Sequence, residues 1–175
     1  MNCISLLMSL MFSTPIAVDI NTSHVGNVFI ETESVKFNIN ITAEANLSVI
    51  DYYGKNVYKG KISAGKSELD LGKFQKGYYV LSIKSDELKD LYFAVLPSPE
   101  SRPDMSDSAI ASDIAMSWLV KPEQFDDLAK LIKLSGIVWV RDRISWGELE
   151  TTRGKFVDST KYDLSADIQT KNGLK

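Results

Sequence analysis

Between residues 136 and 156 the sequence reads GIVWVRDRISWGELETTRGKF, and this stretch gathers the side chains best suited to chemistry. Arg141 and Arg143 are permanent cations whose planar forks suit carboxylates and hydroxyl groups. Trp146 offers a flat apolar ring, and Glu148 and Glu150 offer two carboxylates two positions apart. A carboxylate pair does acid and base work only when its surroundings push the two pKa values apart. Glu148 and Glu150 share one exposed loop with nothing to raise either of them. Their expected role is therefore structural, in ion pairs with Arg141, Arg143 or Arg153. Arg141 is the stronger candidate. It follows an apolar run, Ile137 to Val140, that reads as a buried strand, and alternation places it on the same face as Trp139. A guanidinium at that position can hold a carboxylate ionised or bind a hydroxyl. The structural alternative is an ion pair with Asp142 or Glu150.

Other chemistries lack their residues. Cys3 is the only cysteine and His24 the only histidine in 175 residues. Cys3 precedes an apolar run that is expected to be removed, which leaves no disulfide framework, no cysteine-ligated zinc and no thiol nucleophile. His24 stands in a polar stretch and is expected at the surface. No cofactor and no metal are expected. The net charge is −3 with both signs interspersed, so no basic stripe marks a nucleic-acid partner.

The elements that position residues 136–156 are legible on both sides. Phe125, Leu128, Leu131 and Ile132 recur at helical spacing after Pro122, whose missing N–H costs nothing in a first turn, and Gly136 supplies the C-cap. Residues 162–172 read as a second helix with Leu164 and Ile168 on one face. Upstream, residues 27–96 alternate in period two. Val35, Phe37, Ile39 and Ile41 point one way, Lys36, Asn38 and Asn40 the other, and glycines punctuate about seven short strands. That pattern predicts a β-sandwich of immunoglobulin-like size over residues 19–97. Its tyrosines at alternating strand positions are expected to serve the core. Pro97, Pro99 and Pro103 mark a linker, with a domain boundary near Ser98.

Residues 4–12, ISLLMSLMF, are too short to span a bilayer. With the small residues that follow they resemble a secretory signal covering residues 1–18, so the mature chain is expected to be secreted or periplasmic without a membrane span. Asn21, Asn40 and Asn46 stand in glycosylation sequons.

Gly136, Trp139, Val140, Arg141, Trp146, Glu150, Gly154, Lys155 and Phe156 together resemble the first strand and loop of the barrel in clan A (β/α)8 glycoside hydrolases. The likeness is to bacterial members of the family 39 and family 5 type that carry an N-terminal sandwich. DYYG at residues 51–54, KGYYVLSI at residues 76–83 and ASDIAMSWL at residues 111–119 extend it over most of the mature chain. In the last of these, Ala111-Ser112 stand where relatives more often have Phe-Gly.

The resemblance implies a TIM barrel that opens within residues 98–175, a carbohydrate substrate, and catalytic glutamates at the ends of barrel strands 4 and 7. Retaining hydrolysis needs two carboxyl groups about 5–5.5 Å apart, and a whole barrel takes about 250 residues. The expected protein is thus an N-terminal fragment of a secreted glycosidase, inactive alone, with the catalytic pair outside it. In the whole enzyme Arg141 would hold an active-site carboxylate or a sugar hydroxyl. Trp146 would form part of a sugar-stacking wall or, as expected here, cap the barrel. The alternatives are a carbohydrate-binding sandwich and a sandwich that only buttresses the barrel's lower face.

Overall fold

The computed structural model describes residues 18–85 and 87–175. The signal-like run and Cys3 lie outside the described residues.

Eight strands form the N-terminal sandwich. They are β1 (Val18–Asn21), β2 (Val28–Ile30), β3 (Lys36–Ile41), β4 (Ala45–Asp51), β5 (Asn56–Ile62), β6 (Gly65–Asp70), β7 (Gly77–Lys84) and β8 (Leu88–Leu96). One sheet has the order β1-β3-β6 and the other β2-β8-β7-β4-β5. The alternation read from the sequence is the cause. In β3, Phe37, Ile39 and Ile41 are buried while Lys36, Asn38 and Asn40 are exposed. Leu47 and Val49 of β4, Leu81 and Ile83 of β7, and Phe93 and Val95 of β8 meet them from the facing sheet. Phe29, Phe37 and Phe93 pack edge to face with centroids 5.5–6.1 Å apart, a geometry their quadrupoles favour. Burying one such ring stabilises the fold by about 1.5–3 kcal/mol. The β4–β5 hairpin turns at Gly54, whose φ of +80° admits glycine without strain.

The tyrosines divide. Tyr79 lies in the core and donates from its hydroxyl to the Gln75 carbonyl at 2.8 Å. Tyr52, Tyr53, Tyr78 and Tyr92 are exposed, against the expectation that such positions serve the core. Tyr78 and Tyr92 sit on the outward side of the pleat, where period two sends every second residue to solvent.

Residues 97–110 do not hang free. Arg102 donates to the carbonyls of Pro97 and Leu134, Ser98 N–H donates to Glu31 at 3.2 Å, and Trp139 Nε1 donates to the Ser106 carbonyl at 2.8 Å. Between these anchors and the 3-10 turn at Val25–Asn27, which packs on the helix that follows, the sandwich is held against the C-terminal part.

That part contains β9 (Ala111–Asp113), α1 (Met116–Leu119), α2 (Phe125–Leu134), β10 (Trp139–Arg141), α3 (Trp146–Leu149) and α4 (Lys161–Lys171). Gly136, at φ +88°, ends the α2 segment as the sequence predicts. Strand β10 is not the first of its sheet. It pairs in parallel with β9, and on its other edge Lys175 exchanges 2.8 Å hydrogen bonds with Val138 and Val140. The stretch read as one opening βα unit is therefore preceded by a further parallel strand with its own helices, and Lys175 occupies the other edge of β10. Strand β9 escapes a sequence reading because Ala-Ser-Asp carries no apolar alternation.

Val140 and Ile137 pack with Ile114, Met116, Phe125, Ala129, Ile132, Ile168 and Leu174 beneath the helices. Trp139 and Arg141 therefore point away from the helical layer, toward what is the interior side in a barrel. In α4 the buried residues are Tyr162 and Ser165, with Ile168 half-buried, while Leu164 is 43% exposed. Of the expected Leu164–Ile168 face, Ile168 packs on the core and Leu164 does not. The face turns toward Ser165 because a polar partner waits there.

Candidate functional site

The chemistry-bearing residues collect at the C-terminal ends of β9 and β10. Asp113 and Arg141 occupy directly paired positions on the two parallel strands, so both side chains leave the same face. Arg141 donates from a terminal guanidinium nitrogen to Asp113 Oδ2 at 2.5 Å, and Arg143 donates to the same oxygen at 2.8 Å. Two guanidinium groups grip one carboxylate. The bond from Arg143, followed by that from Arg141, holds the Asp113 carboxyl below the usual aspartate range, and Asp113 in turn raises Arg143. The cluster carries one positive charge in excess. It is open to solvent, since 70% of the Arg141 side chain is accessible. The sequence had offered Asp142 or Glu150 as the ion-pair partner of Arg141; the partner is Asp113.

Asp142 turns the other way. Its Oδ2 accepts from Ser117 Oγ at 3.2 Å, Ser165 Oγ at 2.6 Å and Gln169 Nε2 at 3.0 Å, and its Oδ1 accepts from the Arg143 backbone N–H at 2.8 Å. Four donors satisfy this half-buried carboxylate, which a bare charge there would require.

Glu148, within α3, and Glu150, which follows it, are bonded locally, though not to the arginines expected. Glu148 accepts from Lys161 at 3.0 Å and from the Tyr162 hydroxyl at 2.9 Å. These bonds, that from Lys161 foremost, keep Glu148 below its ordinary value, the reverse of what a general acid needs. Glu150 accepts from Trp146 Nε1 at 2.7 Å and from the Gly154 N–H at 2.5 Å, which closes the loop. Trp146 stands 64% exposed, with its ring edge to face against Phe156 at 5.8 Å. Arg141 and Trp146, the two candidate binding residues, lie at the same end of β10 but share no partner.

His24 bridges to Glu33 at 3.2 Å and stacks on Phe29. It belongs to the sandwich, remote from the strand ends. A cleft of about 780 Å³ opens where sandwich and helices meet, lined by Val28, Pro99, Arg102, Met105, Leu134 and Val138. It adjoins the start of β10, so it lies at the opposite end from Arg141. No helix among the described residues is long and apolar enough to cross a membrane.

Asp113 is the site residue that the sequence left unmarked. Its signal was faint: an acid ending a three-residue segment ahead of a helix.

Residues 33–91, which run from just before β3 into β8, match the family described as the secretion system C-terminal sorting domain. The match supports a secreted protein, the location expected from the sequence. No curated protein matches the chain. Among solved structures, a family 39 glycoside hydrolase from the gut symbiont Bacteroides cellulosilyticus WH2 superposes with a TM-score of 0.65 at 22% identity, over 90% of this chain and 32% of that one. The chain thus spans about a third of the length of that structure, and the likeness is one of fold across both parts. A Faecalibacterium prausnitzii β-glucuronidase (TM-score 0.36, 14% identity, 91% and 27% covered) and a Bacteroides ovatus GH5 xyloglucanase (0.34, 14%, 90% and 44%) are more distant. The family 39 structure, at low identity and over part of its length, thus shows the fold: a sandwich followed by the start of a barrel.

Proposed function

We propose that these residues are the N-terminal part of a secreted glycoside hydrolase acting on O-glycosyl bonds of a polysaccharide or oligosaccharide. The observation that carries the reading is the parallel β9–β10 pair following a sandwich, with Arg141 on the interior face at the strand ends. Catalytic groups of (β/α)8 enzymes occupy that end. Residues 19–97 form the accessory sandwich, and residues 98–175 form the linker and first part of the barrel.

In the whole enzyme the catalytic glutamates come from later strands. Arg141, shared here with Asp113, reaches a catalytic carboxylate or a sugar hydroxyl, and Trp146 borders the entrance. A guanidinium beside a carboxylate favours its ionised form, which suits a nucleophile rather than an acid. The 175-residue chain alone hydrolyses nothing. The experiment is an assay on chromogenic glycosides and plant polysaccharides, comparing this chain with a longer product of the same reading frame. Hydrolysis by the longer product only, reduced roughly 10²-fold in kcat by Arg141→Ala, is the expected result. Hydrolysis by the 175 residues alone would overturn it.

A second reading has its own observation. Tyr78 and Tyr92 lie near-parallel on the outer sheet face with centroids 6.1 Å apart, and about half of each ring is exposed. Aromatic faces of this kind can stack on sugar rings, which would make the sandwich a binding module. Affinity electrophoresis of residues 19–97 in soluble glycans tests it. Retardation that is lost in Tyr78→Ala/Tyr92→Ala supports binding, and equal mobility of both proteins leaves the sandwich a buttress.

A further inference from the structure

Asp142 is flanked in sequence by the two arginines that grip Asp113, yet it faces the opposite way. Strand alternation sends Arg141 to the interior side and Asp142 to the helices. There its carboxylate is met by Ser117 at the start of α1 and by Ser165 and Gln169 one turn apart on α4. Gln169 Nε2 also donates to Ser165 Oγ at 2.7 Å, so the donors form one connected set. Ser117 and Ser165 are both buried, although a hydroxyl is costly to bury without a partner. Among the buried side-chain polar atoms of the described residues, none lacks a partner. Two helices thus spend their buried polar groups on one carboxylate at the end of β10.

We propose that Asp142 is a positioning residue. Its carboxylate bolts the end of β10 to α1 and α4 and so sets where Arg141 and Arg143 present their guanidinium groups. The backbone route is short. Asp142 also caps the Arg143 N–H through its second oxygen, which fixes the peptide between the arginines. With the strand end pinned on its helical side, the arginines converge on one oxygen of Asp113. Past Arg141, whose carbonyl accepts from Ile114 N–H at 3.0 Å, the strand register ends, so without the pin the two residues before Ser145 are less restrained. The bearing of this device on catalysis rests on the glycosidase reading. The device itself, and its test, do not.

The test follows the side-chain carboxyl carbon of Asp113 by NMR in the 175-residue chain as pH is lowered. Three variants are compared with the parent: Asp142→Ala, Asp142→Asn and Ser165→Ala/Gln169→Ala. If Asp142 positions the arginines, Asp142→Ala releases them and Asp113 titrates at higher pH than in the parent. Loss of a neighbouring negative charge alone would act in the reverse direction, since it favours the ionised form of Asp113. The sign of the shift therefore separates positioning from bare charge. Ser165→Ala/Gln169→Ala leaves the Asp142 carboxylate in place and is expected to move Asp113 upward too. Asp142→Asn keeps one acceptor oxygen and is expected to give a smaller upward shift. If Asp142→Ala fails to fold, the other two decide. An unchanged or lowered Asp113 midpoint in the folded variants overturns the proposal, whatever the whole enzyme turns out to hydrolyse.

Discussion

Asp113 and Arg141 face each other at paired positions of two parallel strands, and Arg143 joins them on the same carboxylate oxygen. An aspartate that accepts two charged donors thus stands beside Arg141 at the strand ends. It also has a pH signature. The Asp113 carboxyl is depressed in the folded chain, so its contribution to stability is complete above the ordinary aspartate value of about 3.9. That contribution is lost as pH falls through the lower, folded value. Chemical denaturation between neutral and acid pH should show Asp113→Asn less sensitive to acid than the parent. Identical pH profiles would mean that the pair contributes nothing measurable, as exposed pairs often do.

Phe93 lies at the meeting point of the sandwich aromatics, within 5.2–6.1 Å of Phe29, Phe37, Phe74 and Tyr79. Phe93→Ala should destabilise the sandwich by about 3–5 kcal/mol, because truncation removes the transfer energy and leaves a cavity. Urea unfolding monitored by tyrosine fluorescence gives the number. A loss below about 1 kcal/mol would mean that the two sheets close over the gap.

The sandwich was legible because half-buried strands impose period two over seventy residues; β3 follows it throughout and β7 from Tyr78 onward. Glycine at the end of α2 was legible for a local reason, the positive φ of a helix C-cap. What escaped is non-local. The Asp113–Arg141 pair joins residues 28 positions apart on two strands of three residues each, and no periodicity announces it. The partners of Glu148 were equally hidden, since Lys161 and Tyr162 are brought there by the start of α4, fixed by the Thr160–Asp163 capping box. The exposure of Tyr78 and Tyr92 needed only the register of β7 and β8, which composition does not supply.

The segment read as a linker carries anchors, and Arg102 is the principal one, donating to carbonyls on both sides of the junction. It also complements the C-terminal dipole of α2. Limited trypsin and thermolysin digestion should cut residues 97–110 slowly in the parent and several-fold faster in Arg102→Ala, as local opening becomes easier. Equal rates would mean that the sandwich is tethered rather than docked.

Among the described residues the interior face of the β9–β10 pair is only partly covered, with Arg141 largely open and Trp139 beneath the Lys175 ammonium. Ile110, Ile144, Trp146 and Phe156 are each at least 60% exposed at its margins. Parallel sheets are ordinarily covered on both faces, and open apolar surface of this kind promotes association. Residues 98–175 expressed alone should therefore bind ANS and melt without a sharp transition, whereas residues 19–97 melt cooperatively. A single sharp calorimetric transition for residues 98–175 would contradict this.

We propose that these residues open the barrel of a secreted glycosidase whose catalytic glutamates lie on later strands. The most direct measurement is to capture the native protein from the host's culture medium with an antibody against residues 19–97, and to determine its intact mass and its hydrolysis of polysaccharides. A polypeptide well beyond 175 residues that releases sugars is the expected result. A captured protein of only this length, inactive on every glycan offered, would contradict it.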